Sequence, residues 1–153
     1  MGIEKEIQQC KFRNEFQKLG INLIYTANWL NEGINKILIK EDITQQQYNI
    51  LRILRGSNQP LSTLQIRERM LDKMSDTSRI VDRLITKELV KKNACESDKR
   101  LVDIILTEKG SQLVDKLDGL NEQIDALLSG IGEDEAKIVN ELLDKLRANN
   151  HND

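Results

Sequence analysis

The chain is poor in aromatics (3%: two Phe, two Tyr, one Trp) and holds one Pro, two Cys and one His in 153 residues. Each shortage removes a class of protein. The single His stands at position 151 in a polar tail, which argues against a histidine-built zinc or iron site within one chain. Cys10 and Cys95 are far apart and form no CxxC pair, so a disulfide framework is not expected. No run approaches the roughly 18 apolar residues of a membrane span. The longest uncharged stretch, residues 19–31, is broken by Asn22, Thr26 and Asn28. The first residues contain no apolar signal region, and position 6 is Glu rather than the Ser or Thr of a myristoylation signal. The expected compartment is the cytoplasm. GxSxG, a Gly-rich phosphate loop and HExxH are all missing. No enzyme activity, cofactor or metal is therefore expected.

What remains is a chain with 31% charged and 39% apolar residues, enough to bury a core without disulfides or metal. One domain, or one domain with appended helices, is expected at this length. The formal net charge is −2 but is unevenly spread. Residues 1–63 carry +2, residues 64–102 carry +3, and residues 103–153 carry −7. A mildly basic middle and an acidic C-terminal part fit a weak electrostatic footprint for nucleic acid in the middle segment.

Residues 3–39 read as one long helix, with apolar steps of three and four from Phe12 through Phe16, Leu19, Leu23, Ala27, Leu30, Ile34 and Leu38. Such a helix exceeds what a small core needs, so it is expected to pack on another chain. A bend is expected at Gly20 or Gly33. Thr44 with Gln47, and Ser62 with Gln65, are capping boxes that open two short helices. Residues 56–60, with Gly56 and Pro60, separate them. A third helix spans about 74–87, with Thr77, Ile80, Val81 and Leu84 buried and Ser75, Asp76, Ser78, Arg79, Asp82 and Arg83 outward. Two short helices with a tight connection fit a helix-turn-helix. The period then changes to strands near 89–93 and 101–106, joined by a polar tip at 94–100. A helix-turn-helix followed by a hairpin is a winged helix. Thr107 is an N-cap for a helix whose Leu113, Leu117, Leu120, Ile124 and Leu127 form a coiled-coil-like seam. The segment 129–132 ends it. Glu133, Asp134 and Glu135 open a last helix with Val139, Leu142, Leu143 and Leu146. The expected fold class is mainly α (α+β), a winged helix-turn-helix with long N- and C-terminal helices.

Three motifs resemble the MarR family of bacterial winged-helix regulators. Ile43-Thr44-Gln45-Gln46-Gln47-Tyr48 with Leu51 is similar to its Leu-Thr-x-x-Gln-Tyr/Phe-x-x-Leu opening. The run Thr77 to Leu84, followed by Leu89-Val90, is similar to its recognition helix and exit. Asp98-Lys99-Arg100, then Leu106-Thr107-Glu108-Lys109-Gly110, is similar to its Asp-x-Arg wing and the Leu-Thr-x-x-Gly that follows. Glu88 stands where the family usually has Gly. The resemblance implies a ligand-responsive repressor, acting as a homodimer on a pseudo-palindromic operator in double-stranded DNA. It divides the chain into an N-terminal dimerisation helix (1–40), a DNA-binding lobe (41–106) and C-terminal dimerisation helices (107–153).

On that frame Ser75, Asp76, Ser78 and Arg79 are the candidates for the major groove, where Arg pairs bidentately with guanine and Ser donates or accepts. Asp76 can accept from a cytosine amino group but repels phosphate. Arg83, Lys87, Lys91 and Lys92 are candidates for backbone phosphates, with an ion pair from Arg83 to Asp82 or Asp76 as the plainer alternative. In the wing, Arg100 is the candidate for the minor groove, Asp98 for holding its guanidinium, and Lys99 for a phosphate. The resemblance also implies a small aromatic or anionic effector, with Tyr25, Trp29 and Tyr48 as candidate lining residues and ordinary core packing as the competing role. Cys10, read as lying in the first helix beside Lys11 and Arg13, and Cys95 carry a minor redox hypothesis. A helical adaptor that uses the lobe for protein contacts is the rival reading, and a small hydrolase is remote.

Overall fold

A computed structural model describes residues 2–94, 98 and 102–148. Its N-terminal part corrects the expectation of one helix over 3–39. A single turn, α1 (Ile3–Glu6), is followed by a non-helical connection, and the long helix α2 (Glu15–Leu38) begins after it. The backbone turns at Gln8, whose φ is 55°. Asn14 then restarts the helix: its side chain accepts from the Gln17 N–H at 2.9 Å, while Gln17 Oε1 accepts from the Arg13 N–H at 2.6 Å. This local cap outweighs apolar periodicity across 7–14. The connection folds α1 back along α2. Ile3 is buried, Lys18 pairs with Glu4, and the Tyr25 hydroxyl donates to Glu6 Oε2 at 3.0 Å.

The helix α2 is continuous through both glycines rather than ending at either. Gly33 instead permits close approach, since a Cβ there would lie 3.0 Å from both methyls of Leu127. Beyond α2 a 3₁₀ turn (Ile39–Glu41) leads to Asp42 in the left-handed region.

The central lobe follows the expected order. Helices α3 (Gln45–Gly56) and α4 (Thr63–Arg69) each open with a complete capping box, on Thr44/Gln47 and Ser62/Gln65. Helix α5 (Thr77–Thr86) starts three residues later than read from sequence, because Asp76 caps it. Between α3 and α4 runs a two-residue strand, β1 (Leu61–Ser62), which is too short to show periodicity. After α5 come β2 (Val90–Ala94) and β3 (Val102–Leu106), antiparallel with Val90 opposite Leu106 and Ala94 opposite Val102. The strand β1 completes the sheet in the order β1-β3-β2, with Leu61 opposite Ile104.

The core sits where these elements meet. Leu38, Ile50, Leu51, Ile66, Leu84 and Ile104 are all fully buried, each contributing about 1.5–3 kcal/mol by transfer from water. The stripe Thr77, Ile80, Val81 and Leu84 of α5 faces this core as the sequence indicated.

Two junctions hold the hairpin to the lobe. Glu88, in place of glycine, keeps the left-handed turn after α5 at φ 62°. There Leu89 N–H donates to Leu84 O and Glu88 N–H to Ile85 O, satisfying helix-end carbonyls. The Leu-Thr-x-x-Gly motif forms the second junction. The Thr107 hydroxyl donates to Glu88 O at 2.6 Å and accepts from Gly110 N–H at 3.0 Å, while Thr107 N–H donates to Leu89 O at 3.1 Å. Gly110 is pressed against Leu89: a Cβ would lie 2.9 Å from the Leu89 carbonyl carbon and closer still to its oxygen.

The helix expected from Thr107 through Leu127 is in fact two. Helix α6 (Glu108–Asp118) closes at Gly119 and Leu120, and α7 (Asn121–Leu127) packs on α2. Arg55 of α3 ties down α6 through Asp115 and Asp118, at 3.3 and 2.5 Å. Helix α8 (Glu133–Ala148) buries no residue. Its Ile138, Val139, Leu142 and Leu146 are exposed, as are Phe16, Ile24 and Trp29 of α2. No helix among the described residues is long and apolar enough to cross a membrane.

Candidate nucleic-acid interface

The sequence-derived candidates converge on the start of α5. Asp76 is its N-cap: Oδ1 accepts from the Arg79 N–H at 3.2 Å. This gives the acid an intramolecular task at a helix N-terminus, where negative charge is favoured. Ser75 is partly buried, and its hydroxyl donates to Asp72 O at 2.8 Å. Ser78 and Arg79 are exposed on the first turn, and Arg83 follows one turn on. Neither arginine makes an ion pair among the described residues, so Arg83 does not pair with Asp82 or Asp76. The Thr77 hydroxyl, beside them, is buried without a hydrogen-bond partner among the described residues.

The lysines divide. Lys87 is turned away from the α5 surface. Its Nζ donates to Asp42 O and to Gln47 Oε1, the latter at 3.2 Å, and lies 3.6 Å from the Asp42 carboxylate. That ties α5 to the start of α3 and gives Lys87 an intramolecular role beside the phosphate contact expected of it. Lys91 and Lys92 are both exposed but are successive strand residues, so they point to opposite faces. Lys92 lies 4.0 Å from Asp82, on the α5 side. Asp98 is partly buried. Lys99, Arg100 and Cys95 lie outside the described residues, as does His151.

The elbow formed by α4, α5 and the connection between them also reveals a residue that sequence reasoning passed over. A cleft of about 460 Å³ opens between Thr63 and Arg67 of α4 and residues 75–78. Arg67 is exposed there, beside Ser75 and Ser78. Its sequence signal was present, a basic side chain one turn after a capping box, but only the packing of α4 against α5 places it at this spot.

The three aromatics do not form one site. Tyr48 is 7% exposed and sits in the core, with the Arg52 guanidinium 5.7 Å from its ring centre. Tyr25 is hydrogen-bonded to Glu6, which pushes its phenol pKa up. Trp29 is 48% exposed on α2. None of them lines the cleft that lies between α2, α3 and the α4–α5 connection. Cys10 is exposed in the α1–α2 connection rather than in a helix, which corrects its placement. No group of side chains suited to a metal ion occurs among the described residues.

Known proteins share both the sequence pattern and the fold. Residues 43–102 match the MarR family profile. The HTH-type transcriptional regulator MhqR of Bacillus subtilis (strain 168) is 29% identical over 134 residues, covering 86% of this chain and 91% of its own. A mutant MarR from E. coli, solved in complex with operator DNA, superposes with a TM-score of 0.80 at 22% identity, over 90% of this chain and 99% of that one. BpsR of Bordetella bronchiseptica, whose DNA binding is regulated by 6-hydroxynicotinic acid, superposes with a TM-score of 0.79 at 20% identity, over 90% and 98%.

Proposed function

Because the chain belongs to the MarR family of DNA-binding winged-helix transcriptional regulators, we propose that it is a homodimeric, effector-responsive repressor of a pseudo-palindromic operator, acting in the cytoplasm as a binder and not a catalyst. The observation that carries this reading is the outer face of α5. Ser78, Arg79 and Arg83 stand exposed there and free of ion pairs among the described residues, beside Arg67 across the elbow. In each protomer Ser78 and Arg79 read base edges in the major groove. Arg67, Arg83, Lys91 and Lys92 meet phosphates, and Ser75 and Asp76 set the start of the helix. In the wing, Arg100 enters the minor groove, Asp98 holds its guanidinium, and Lys99 meets a phosphate. Residues 1–40 and 107–153 supply the dimer contact, supported by the exposed apolar faces of α2 and α8. The acidic excess of 103–153 then lies away from the DNA.

The experiment is in vitro selection of duplexes from a random library, followed by salt titration of the selected site. Two half-sites about 34–36 Å apart and a steep fall of affinity with salt are expected, with the protein running as a dimer in sedimentation. A failure to enrich any sequence, with no duplex binding at low salt, refutes the reading and leaves a protein-contact role for the lobe.

A further inference from the structure

A cleft of about 730 Å³ opens where α2, α3 and the α4–α5 connection meet. Its lining has an unusual chemistry. Ile43 and Met70 contribute buried apolar surface, while Ile39 and Leu71 are 73% and 88% exposed. The polar lining is dominated by carboxamides, Asn31 and Asn35 from α2 and Gln45, Gln46 and Asn49 from α3. Part of their hydrogen-bonding capacity is used. Gln45 Nε2 donates to Asn31 O at 3.2 Å and to Asn35 Oδ1 at 3.1 Å, and Asn49 Oδ1 accepts from the Leu71 N–H at 2.9 Å. The side-chain amides of Asn31 and Gln46, and the amino groups of Asn35 and Asn49, have no protein partner among the described residues. The one ionisable group in the lining is the carboxyl of Asp72; no Lys, Arg or His lines the cleft.

We infer that this cleft binds a small planar ligand that is uncharged or positively charged, and that it discriminates against carboxylates. Its volume is that of a small-molecule site, and such sites combine apolar surface with a few placed polar groups. Exposed Ile39 and Leu71 offer apolar surface to a ring, and free carboxamides offer both donors and acceptors to its polar edge. An anion would lose hydration with no cation to replace it, and would meet the Asp72 carboxylate as well. A cation would meet that carboxylate favourably.

The cleft also reaches the DNA-binding elbow. Leu71, held by Asn49, is followed by Asp72, which accepts from the Met74 N–H at 2.9 Å and from Ser75 through its backbone oxygen. A ligand seated against Asn35, Asn49 and Leu71 therefore bears on the segment that sets where α5 begins. It changes operator affinity to the extent that it prefers one elbow position over another. This coupling rests on the DNA-binding reading above; the ligand class does not.

The test uses the full chain, ¹⁵N-labelled, titrated at neutral pH with benzamide, benzamidine and benzoate, which share a ring and differ in charge. Benzamide and benzamidine are expected to shift the side-chain amide signals of Asn31, Asn35 and Gln46 and the backbone signal of Leu71. Benzoate is expected to bind about tenfold more weakly or worse. Benzoate binding as tightly as benzamide, or no shift at these signals from any probe at millimolar concentration, overturns the assignment. Asp72→Asn is expected to weaken benzamidine more than benzamide. Because Asp72 also organises the elbow, exposed Gln46→Lys supplies an independent check, and its preference should move toward benzoate; an unchanged preference in both variants overturns the electrostatic argument. Saturating benzamide is then expected to change affinity for the selected duplex. Selective probe binding with unchanged duplex affinity refutes the coupling. Selective probe binding by a protein that binds no duplex at low salt refutes the DNA-binding reading and leaves the ligand class standing.

Discussion

Replacing Gly110 by alanine sets two opposite outcomes against each other. Gly110 lies in the first turn of α6 with an ordinary negative φ. On helix propensity alone, alanine there stabilises by about 1 kcal/mol. The structure argues for the reverse. The added methyl would lie 2.9 Å from the Leu89 carbonyl carbon, with the oxygen nearer, and both belong to backbone that cannot rotate aside. Relief requires α6 to move away from the turn after α5. That movement strains the Thr107 cap on Gly110 N–H and the bond from Thr107 N–H to Leu89 O. Losing a cap costs about 1 kcal/mol, and leaving a buried carbonyl unpaired costs about 1–3 kcal/mol. After subtracting the propensity gain, net destabilisation of about 1–3 kcal/mol is expected, or a melting shift of about 2–12 °C for a chain of this size. Urea denaturation at fixed protomer concentration measures it, since the proposed dimer would make apparent stability concentration-dependent. Gly56→Ala is the matched control, because at the exposed end of α3 nothing lies within 4 Å of where its methyl would stand; it is expected to be neutral or stabilising by about 0.5 kcal/mol. A Gly110→Ala protein as stable as the parent would refute the argument that this glycine is required by close backbone approach.

Other perturbations test separate parts of the molecule. Arg79→Ala is expected to weaken binding to the selected duplex and relax preference at one base position by about 1–3 kcal/mol, and Arg100→Ala to weaken it about tenfold or more, roughly 1.4 kcal/mol; fluorescence anisotropy with unchanged affinity at physiological salt would remove either residue from the interface. Glu88→Gly relieves a left-handed residue at φ 62° and gives up only an exposed contact with Lys109 at 3.9 Å. It should raise the melting temperature, corresponding to about 0.5–1 kcal/mol, and no rise would show that the turn is unstrained. The hydrogen bond from Lys18 holds the Glu4 carboxyl below its usual range, and Glu4 holds Lys18 above its own. The Glu4 contribution is thus present above the unfolded carboxylate pKa and lost as pH falls through the lower folded one. The Lys18 contribution is present below the unfolded lysine pKa and lost as pH rises through the higher folded one. The N-terminal turn should stay on α2 between about pH 5 and pH 10 and loosen in acid, and a protection factor at the Ile7 amide, taken relative to its intrinsic exchange rate, that does not fall at low pH would contradict this.

The features readable from residue order are those closed within a few positions. Thr44 with Gln47, Ser62 with Gln65 and Thr107 with Gly110 each complete a bond over three residues, so their helices begin where the sequence says. The buried stripe of α5 is equally local, because 3.6 residues per turn places Ile80, Val81 and Leu84 on one side. The same kind of signal was available at Asn14 and Gln17, and the long apolar period hid it. The division at Gly119 and Leu120 escaped because a seam of leucines continues across a short interruption.

Packing between distant segments settled the rest. β1 is a strand only because Leu61 meets Ile104. Lys87 looks like any outward lysine until Asp42 and Gln47, forty or more positions earlier, come within reach of it. Gly33 reads as a helix bend in one dimension and is instead the place where α7 approaches α2. The amide-lined cleft draws on three elements whose individual sequences carry no binding motif. Residue order thus specifies caps, periods and the charge of each segment, since those depend on neighbours along the chain. Which side chains share a surface depends on long-range packing, and so the positions of Arg67, Lys87 and the carboxamides became known only once the helices were placed against one another.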